Sequence, residues 1–295
     1  MKGMRQARAR WAAIAATAVC AALCSTLCGC SPDAVKKLPP GISIDVYQSR
    51  FDYGEHKLEV SVRNSTDRPF EIRALEFSSP SFAPAAEYER TPSTVRANTT
   101  TDFRLLLPMA DCQAAVGAPV VKLTYSFGGE SATVSTVPKD RLGQLPTIRA
   151  DDCRDDEVHR VATITPTSPI GYTTVDGTRV ARLEFTVVPT GAGGTLVIED
   201  VRGTVLLNLV DENTGSPIDV MPLGLDVGAS TTSQTFRLAL APARCDAHAV
   251  AEDKRGTFFP FVVTTRQGAG RMYIGVSDVQ RTELYEFVRT ACETT

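Results

Sequence analysis

Tryptophan, histidine and methionine are scarce in this chain of 295 residues, which has one tryptophan, three histidines and five methionines. None of the histidines (His56, His159 and His248) lies at metal-ligand spacing from another histidine, so each is interpreted as a surface residue. A Gly-x-Ser-x-Gly nucleophile motif is also missing. These absences predict a protein that is not an enzyme. The single tryptophan, Trp11, leaves few large aromatic platforms for binding sugars.

The chain also lacks an excess of basic residues, since its formal net charge is −3. Residues 1–29 contain four basic residues and no acidic one, so their removal would leave a net charge of about −7. Nucleic-acid binding depends on positive charge that gathers phosphate groups. The composition therefore predicts no nucleic-acid partner.

The N-terminus has a basic start, an apolar run from Trp11 to Leu27 and a small-residue cleavage site, which together indicate a secretory signal. The residues Leu27-Cys28-Gly29-Cys30 resemble the lipobox of bacterial membrane lipoproteins. The resemblance implies removal of residues 1–29, lipidation of Cys30 and attachment to the extracytoplasmic face of the cell membrane. Cys28 stands where Ala or Ser is usual, so plain secretion and a retained anchor stay open as alternatives. The Pro-rich residues 30–41 predict a tether.

An internal repeat organises the remaining cysteines. Residues 101–112 align without a gap over residues 234–245, with six identical positions, and each block ends in a cysteine. A further cysteine closes each repeat, and an even number of cysteines in an exported protein predicts disulfides. Pairing within the repeats predicts two bridges, Cys112–Cys153 and Cys245–Cys292.

Short runs of alternating apolar and polar residues, separated by turn-forming clusters, predict an all-β fold. We expect two tandem immunoglobulin-like β-sandwich repeats at residues 42–154 and 155–295, an architectural resemblance that implies no function. One helix is predicted at the end of the second repeat, from a cap at Asp278 to about Thr290. The equivalent stretch of the first repeat contains Gly143 and Pro146, so any helix there should be short.

Five carboxylates cluster where the repeats meet: Asp151, Asp152, Asp155, Asp156 and Glu157. Such a run repels itself unless it is solvated, paired or neutralised by a cation. It is interpreted as a solvated acidic linker, with calcium-stiffened coupling of the repeats as the alternative, because calcium prefers oxygen ligands. No other cofactor is predicted.

These features predict a lipid-anchored cell-surface protein that acts without catalysis, by contact with an unidentified envelope protein or other envelope component. The alternative is a receptor-like protein that binds a ligand or a cation such as calcium between its two domains. An enzyme acting on cell-wall material comes third. A flat exposed apolar patch would favour the first function, a polar cleft between the domains the second, and a deep pocket of perturbed carboxylates the third.

Overall fold

The computed structural model describes residues 37–49, 51–167, 169–246 and 255–293. The signal, Cys30 and residues 30–36 of the predicted tether lie outside the described residues. Within the described ranges the chain is all-β, as predicted, with 19 strands and two α-helices, α1 (Leu145–Val161) and α2 (Asp278–Glu293). No helix in this part of the chain has the length and apolar character needed to span a membrane.

The first repeat is a sandwich of two sheets. One sheet has the strand order β6-β2-β1-β9, and the other has the order β4-β3-β7-β8, with β5 also paired to β3. The strands are β1 (Ile42–Tyr47), β2 (Lys57–Asn64), β3 (Phe70–Ser79), β4 (Phe82–Glu87), β5 (Ser93–Val95), β6 (Thr99–Leu106), β7 (Val120–Phe127), β8 (Glu130–Thr136) and β9 (Lys139–Asp140).

The second repeat is built in the same way. One sheet has the order β10-β12-β17-β14-β15, with β11 also paired to β12, and the other has the order β16-β13-β18-β19. The strands are β10 (Ala162–Pro166), β11 (Gly171–Val175), β12 (Thr178–Pro189), β13 (Leu196–Arg202), β14 (Leu207–Val210), β15 (Pro217–Ile218), β16 (Val220–Asp226), β17 (Gln234–Pro242), β18 (Phe258–Thr265) and β19 (Gly268–Gly275).

The repeated sequence block has the same strand register in both copies. Val60 of β2 lies opposite Phe103 of β6, and Phe185 of β12 lies opposite Phe236 of β17. Both pairs point into the core of their sandwich, because side chains alternate between the two faces of a strand. The alignment made from sequence therefore describes structural equivalence as well as similarity.

A further shared feature is a register shift in the second sheet of each repeat. The shift lies between Ile72 and Ala74 in β3 and between Ile198 and Asp200 in β13. A bulge of this kind adds one residue to a strand and increases its twist. Its presence at the same point in both copies supports their common architecture.

The β7–β8 and β18–β19 hairpins follow, for which the sequence predicts turns at Gly128-Gly129 and at residues 267–270. Gly128-Gly129 forms the predicted two-residue turn, with the positive φ angles that this turn needs. In the second repeat Thr265 pairs with Gly268, so Arg266 and Gln267 form the turn. The prediction of a turn over residues 267–270 is wrong by two residues, and the correct position places Arg266 at the hairpin tip.

Helix α1 corrects the prediction of a short helix. Pro146 is the second residue of the helix, where the missing N–H would have had no intrahelical partner. The carboxylate of Asp140 accepts hydrogen bonds from the backbone N–H groups of Gln144 and Leu145, both at 2.9 Å, and so caps the helix start. Gly143 lies before the helix and does not interrupt it.

Both hydrophobic cores pack against helix α1. Ile148, near its start, belongs to the core of the first repeat, whereas Val158 and Val161 belong to the core of the second. The predicted boundary between residues 154 and 155 thus falls inside a continuous helix. The repeats share this element instead of meeting at a flexible linker.

Helix α2 confirms the predicted C-terminal helix and extends it to Glu293. Leu284, Phe287 and Val288 are buried on one face, as the sequence indicated. The cap is Ser277 and not Asp278: its hydroxyl accepts from the N–H of Gln280, whose side chain accepts from the N–H of Ser277. This reciprocal pair is a capping box.

Candidate functional site: a cleft between the two repeats

Both predicted disulfides form, Cys112–Cys153 and Cys245–Cys292. The Cys112–Cys153 bridge ties α1 to the segment after β6. The Cys245–Cys292 bridge ties α2 to the segment after β17. The first bridge is attached in the middle of α1, so it fixes the helix to the first repeat just before the helix reaches the second.

The acidic run lies on α1, so its interpretation as a solvated linker is wrong. A helix turns successive residues through about 100°, so the five carboxylates point in different directions. Asp151 pairs with Arg154, Asp156 is exposed, and the other three are placed as described below. Among the described residues no group of three His, Cys, Asp or Glu side chains could hold a metal ion. The five carboxylates thus do not form one cluster, and calcium-stiffened coupling of the repeats stays a prediction.

Asp152 joins the helix to the first repeat through His56. His56 Nε2 lies 2.8 Å from Asp152 Oδ1, and His56 Nδ1 lies 2.7 Å from the carbonyl oxygen of Leu107. Both partners are acceptors, so both ring nitrogens donate and the imidazolium form fits best. The hydrogen bond to Asp152 raises the pKa of His56. Asp152 Oδ2 also accepts from the N–H of Ala110 at 2.9 Å, so both oxygen atoms of this buried carboxylate are hydrogen-bonded.

Glu157 joins the same helix to the second repeat. Its carboxylate accepts two hydrogen bonds from Arg266, at 2.8 and 2.9 Å, and another from Arg160 at 2.7 Å. These guanidinium groups, with Arg266 contributing most, lower the pKa of Glu157 to about 2. Arg266 is at the tip of the β18–β19 hairpin, so the ion pair fixes that hairpin against α1.

Arg154 packs beside Glu157 against the same hairpin. Its guanidinium is buried on the backbone of Gly270 in β19, where an added Cβ would come within 2.0 Å of Arg154 Cζ. The helix thus presents its successive turns to one repeat and then to the other. The junction is held by a disulfide, by ion pairs and by apolar contacts of α1 with both hydrophobic cores.

A cleft of about 440 Å³, lined by both polar and apolar side chains, opens between the repeats along this helix. This volume is within the usual range for small-ligand sites. The first repeat and α1 supply most of its lining, and the second repeat supplies Arg255 and Tyr273. The lining residues are Gln48, Tyr53, His56, Leu142, Gly143, Gln144, Thr147, Ile148, Asp151, Asp152, Asp155, Arg255 and Tyr273.

Two tyrosines face the cleft from opposite repeats. Tyr53 and Tyr273 are each about half exposed, at 46% and 51%. Arg255 lies between them, with its Cζ atom 5.7 Å from the centre of the Tyr53 ring and 5.6 Å from that of Tyr273. These distances fit a cation–π contact with each of the two rings.

The first tyrosine is held in place by Gln144. Gln144 Nε2 donates to the hydroxyl of Tyr53 at 2.9 Å and to the carbonyl oxygen of Gln48 at 3.2 Å. Gln144 Oε1 accepts from the N–H of Gln48 at 2.8 Å. This network orders the wall that the first repeat contributes.

Asp155 lies among the lining residues, and its Oδ1 atom is buried without a hydrogen-bond partner in the part of the chain that the structure describes. Burial, which penalises the charged form, raises the pKa of Asp155 to about 6; the charges of Asp151 and Asp152 act in the same direction, and those of His159 and Arg154 oppose it. A group of this kind favours a donor or a cation from a ligand. The Asp155 carboxylate can therefore bind a ligand, whereas the carboxylates of Asp152 and Glu157 already bind other residues of the fold.

Sequence reasoning identified the acidic residues of this site but missed its other half. Tyr53, Gln144, Arg255 and Tyr273 come from four separate segments, and no local motif connects them. His56 was interpreted as a surface residue, although it binds Asp152 across the fold.

Searches against protein families and curated proteins found no match. Among solved structures, the chain is similar to red sea bream transglutaminase at 11% identity and a TM-score of 0.22, covering 81% of this chain and 32% of that one. An Amycolatopsis orientalis exo-chitosanase gives 12% identity and a TM-score of 0.19, covering 80% and 26%. The Acinetobacter baumannii CsuC–CsuE chaperone–adhesion complex gives 10% and 0.18, covering 79% and 98%. The chain thus spans about a third of the transglutaminase, and similarity at this level identifies no family.

Proposed function

We propose that this protein is a lipid-anchored, non-catalytic binding protein of the bacterial cell surface, which holds a ligand in the cleft between its two repeats. The observation that carries the proposal is the cleft itself, whose walls come from both repeats and whose floor is the shared helix α1. The lipobox resemblance of Leu27-Cys28-Gly29-Cys30 supports attachment to the membrane through Cys30. Two acyl chains would hold it there stably.

The chemistry of the cleft favours binding over cell-wall hydrolysis. Glycoside cleavage generally needs two carboxyl groups that face each other across the scissile bond. Of the three aspartates that line the cleft, Asp151 is paired with Arg154 and Asp152 with His56. Asp155 therefore lacks a free carboxyl partner in the cleft, which supports a role in recognition.

Contact with another envelope protein is the second candidate. It is favoured by the exposed aromatic and apolar side chains that line the cleft, Tyr53, Leu142 and Tyr273. These residues would let a protein partner, as well as a small molecule, bind at the same place. Both candidates therefore predict that residue 273 lies at the binding surface.

Site-specific photocrosslinking in intact cells tests the proposal. A photoreactive amino acid at Tyr273 should capture a specific partner or ligand, because the side chain faces the cleft and is half exposed. The same group at Tyr172, which is 43% exposed elsewhere on the second repeat, is the matched control. Equal capture from both positions, or none from Tyr273, would contradict a binding role for the cleft.

The membrane anchor has its own test. Cys30→Ala should abolish labelling by fatty acid and move the protein from the membrane fraction to the soluble fraction. Cys28→Ala is the matched control, because it changes the neighbouring cysteine and should leave both readouts unchanged. Retention of the lipid label by Cys30→Ala would overturn the assignment.

A further inference from the structure

The inter-repeat cleft already holds a cation of the chain's own. The Arg255 guanidinium occupies the space between Tyr53 and Tyr273, at cation–π distance from both rings. Those two rings belong to different repeats, and only the packing of both on α1 brings them together. The two rings therefore accommodate a guanidinium group at cation–π distance.

A second observation is independent of the rings. Asp155 lines the same cleft with a buried oxygen atom that no donor of the described chain satisfies. An unsatisfied carboxylate is costly, and a charged donor is the group that offsets this cost best. The cleft lining also carries more acidic than basic groups, with Asp151, Asp152 and Asp155 against His56 and Arg255.

We infer that the cleft recognises a guanidinium or ammonium group carried on a flexible chain, which displaces the Arg255 side chain from between Tyr53 and Tyr273 and pairs with Asp155. This inference rests on the proposed binding function and names the chemistry of its ligand. A free polyamine-like cation and an arginine or lysine side chain of a partner protein share this chemistry. Arg255 then acts as an internal competitor that leaves when the ligand enters.

Calorimetric titration of the full-length protein in detergent at pH 7.5 tests the inference. The probes are agmatine and a short end-capped peptide whose one charge is an arginine, which distinguish a free cation from a protein side chain. We expect saturable binding of at least one probe, with no binding of the neutral peptide in which glutamine replaces the arginine. Absence of binding by both cationic probes would overturn the inference.

Four variants separate the roles of the cleft residues. Asp155→Asn should weaken binding about tenfold or more, since a charge-assisted contact is lost, whereas the exposed neighbour Asp156→Asn should bind as the wild type does. Tyr273→Ala should weaken binding and Tyr273→Phe should retain it, because the ring face makes the contact.

Arg255→Ala gives the sharpest result, because removal of the internal competitor should tighten binding of the cationic probe. A ligand that stacks on Arg255 would instead bind more weakly to this variant, and that outcome would overturn the inference. Specific crosslinking at residue 273 combined with no cation binding would leave the proposed function standing and reject only the ligand class. Failure of both experiments would reject the proposed function as well.

Discussion

Helices α1 and α2 end equivalent repeats and each carries the second cysteine of its repeat, yet α1 packs on both hydrophobic cores and α2 on one. In α2 the bridged Cys292 is next to the last residue, and the helix packs on the second core alone. In α1 the bridged Cys153 lies mid-helix, and residues 154–161 continue into the second repeat. Helix α1 thus continues about two turns beyond its disulfide. These two turns carry the α1 residues of the second core, Val158 and Val161.

The sheets offer a second comparison between the repeats. Glu59 faces Arg104 across β2 and β6, and Glu184 faces Arg237 across β12 and β17, at the same register position. The first pair is enclosed, because Glu59 is buried and Arg104 Nε also lies 2.9 Å from the buried Asp52. The second pair is exposed on both sides, at 3.5 Å. Identical residues at equivalent positions therefore have different energetic roles, which their surroundings decide.

The largest expected effect comes from breaking α1 beyond its disulfide. Asp156→Pro should cost about 3 kcal/mol, because proline removes a helical hydrogen bond and clashes with the preceding turn. We expect the wild type to unfold in one calorimetric transition and this variant in two, since the shared helix no longer couples the cores. Asp156→Ala, at the same exposed position, should keep the single transition.

The equivalent change in α2 completes that comparison. Glu286→Pro breaks a helix that serves the second repeat alone, so the first repeat should keep its stability. A single transition in Asp156→Pro would show that the repeats are coupled by contacts other than α1. Differential scanning calorimetry at matched scan rates measures both variants.

Removal of the buried cation in the first sheet should have the next largest effect. Arg104→Gln leaves the carboxylates of Asp52 and Glu59 buried without their counter-charge, and an unpaired buried charge is strongly destabilising. Arg237→Gln removes only an exposed ion pair, which contributes little. We expect the urea midpoint to fall several-fold further in Arg104→Gln. Equal shifts would contradict the assignment of different roles to the two pairs.

Glu157→Gln tests how much the ion pairs of Glu157 contribute to the packing of α1 on the second repeat. Loss of its contacts with Arg266 and Arg160 should cost about 2 kcal/mol at pH 7. Glu286→Gln, which breaks an exposed pair with Arg289 on α2, is the matched control and should change stability little.

The pH dependence gives Glu157 a second signature. Its folded pKa is lowered to about 2, so its stabilisation is present above the ordinary pKa and is lost as the pH falls from about 4.5 to 2. The difference in unfolding free energy between wild type and Glu157→Gln should therefore shrink over this range. A difference that stays constant between pH 7 and pH 2.5 would indicate a packing effect instead of an ion pair.

The local pattern predicted the parts of the fold that depend on alternation and repetition. The strands follow from period-two runs, both disulfides from the repeat, and the buried face of α2 from the helical spacing of its apolar residues. The local pattern predicts too short a helix at α1, because Gly143 and Pro146 indicate an interrupted segment and the acidic run a solvated linker. Its length depends on capping by Asp140 and on tertiary partners such as His56 and Arg266, which lie 96 and 109 residues from their carboxylates. Contacts at such separations leave no mark in a local pattern.

The smallest expected change in the free energy of unfolding is a gain in stability, whereas the preceding variants lose stability. Burial raises the pKa of Asp155 to about 6, so ionisation of this group opposes folding: its favourable contribution is present below the ordinary value near pH 4 and is lost as the pH rises through 6. Asp155→Asn should therefore be more stable than wild type at pH 7.5, by about 1 kcal/mol after allowance for partial exposure, and equal to it near pH 4. Chemical denaturation at both pH values measures this. A gain in stability combined with a loss of cation binding is the pattern expected of a residue kept for recognition, in contrast to Glu157, which α1 uses to hold the second repeat.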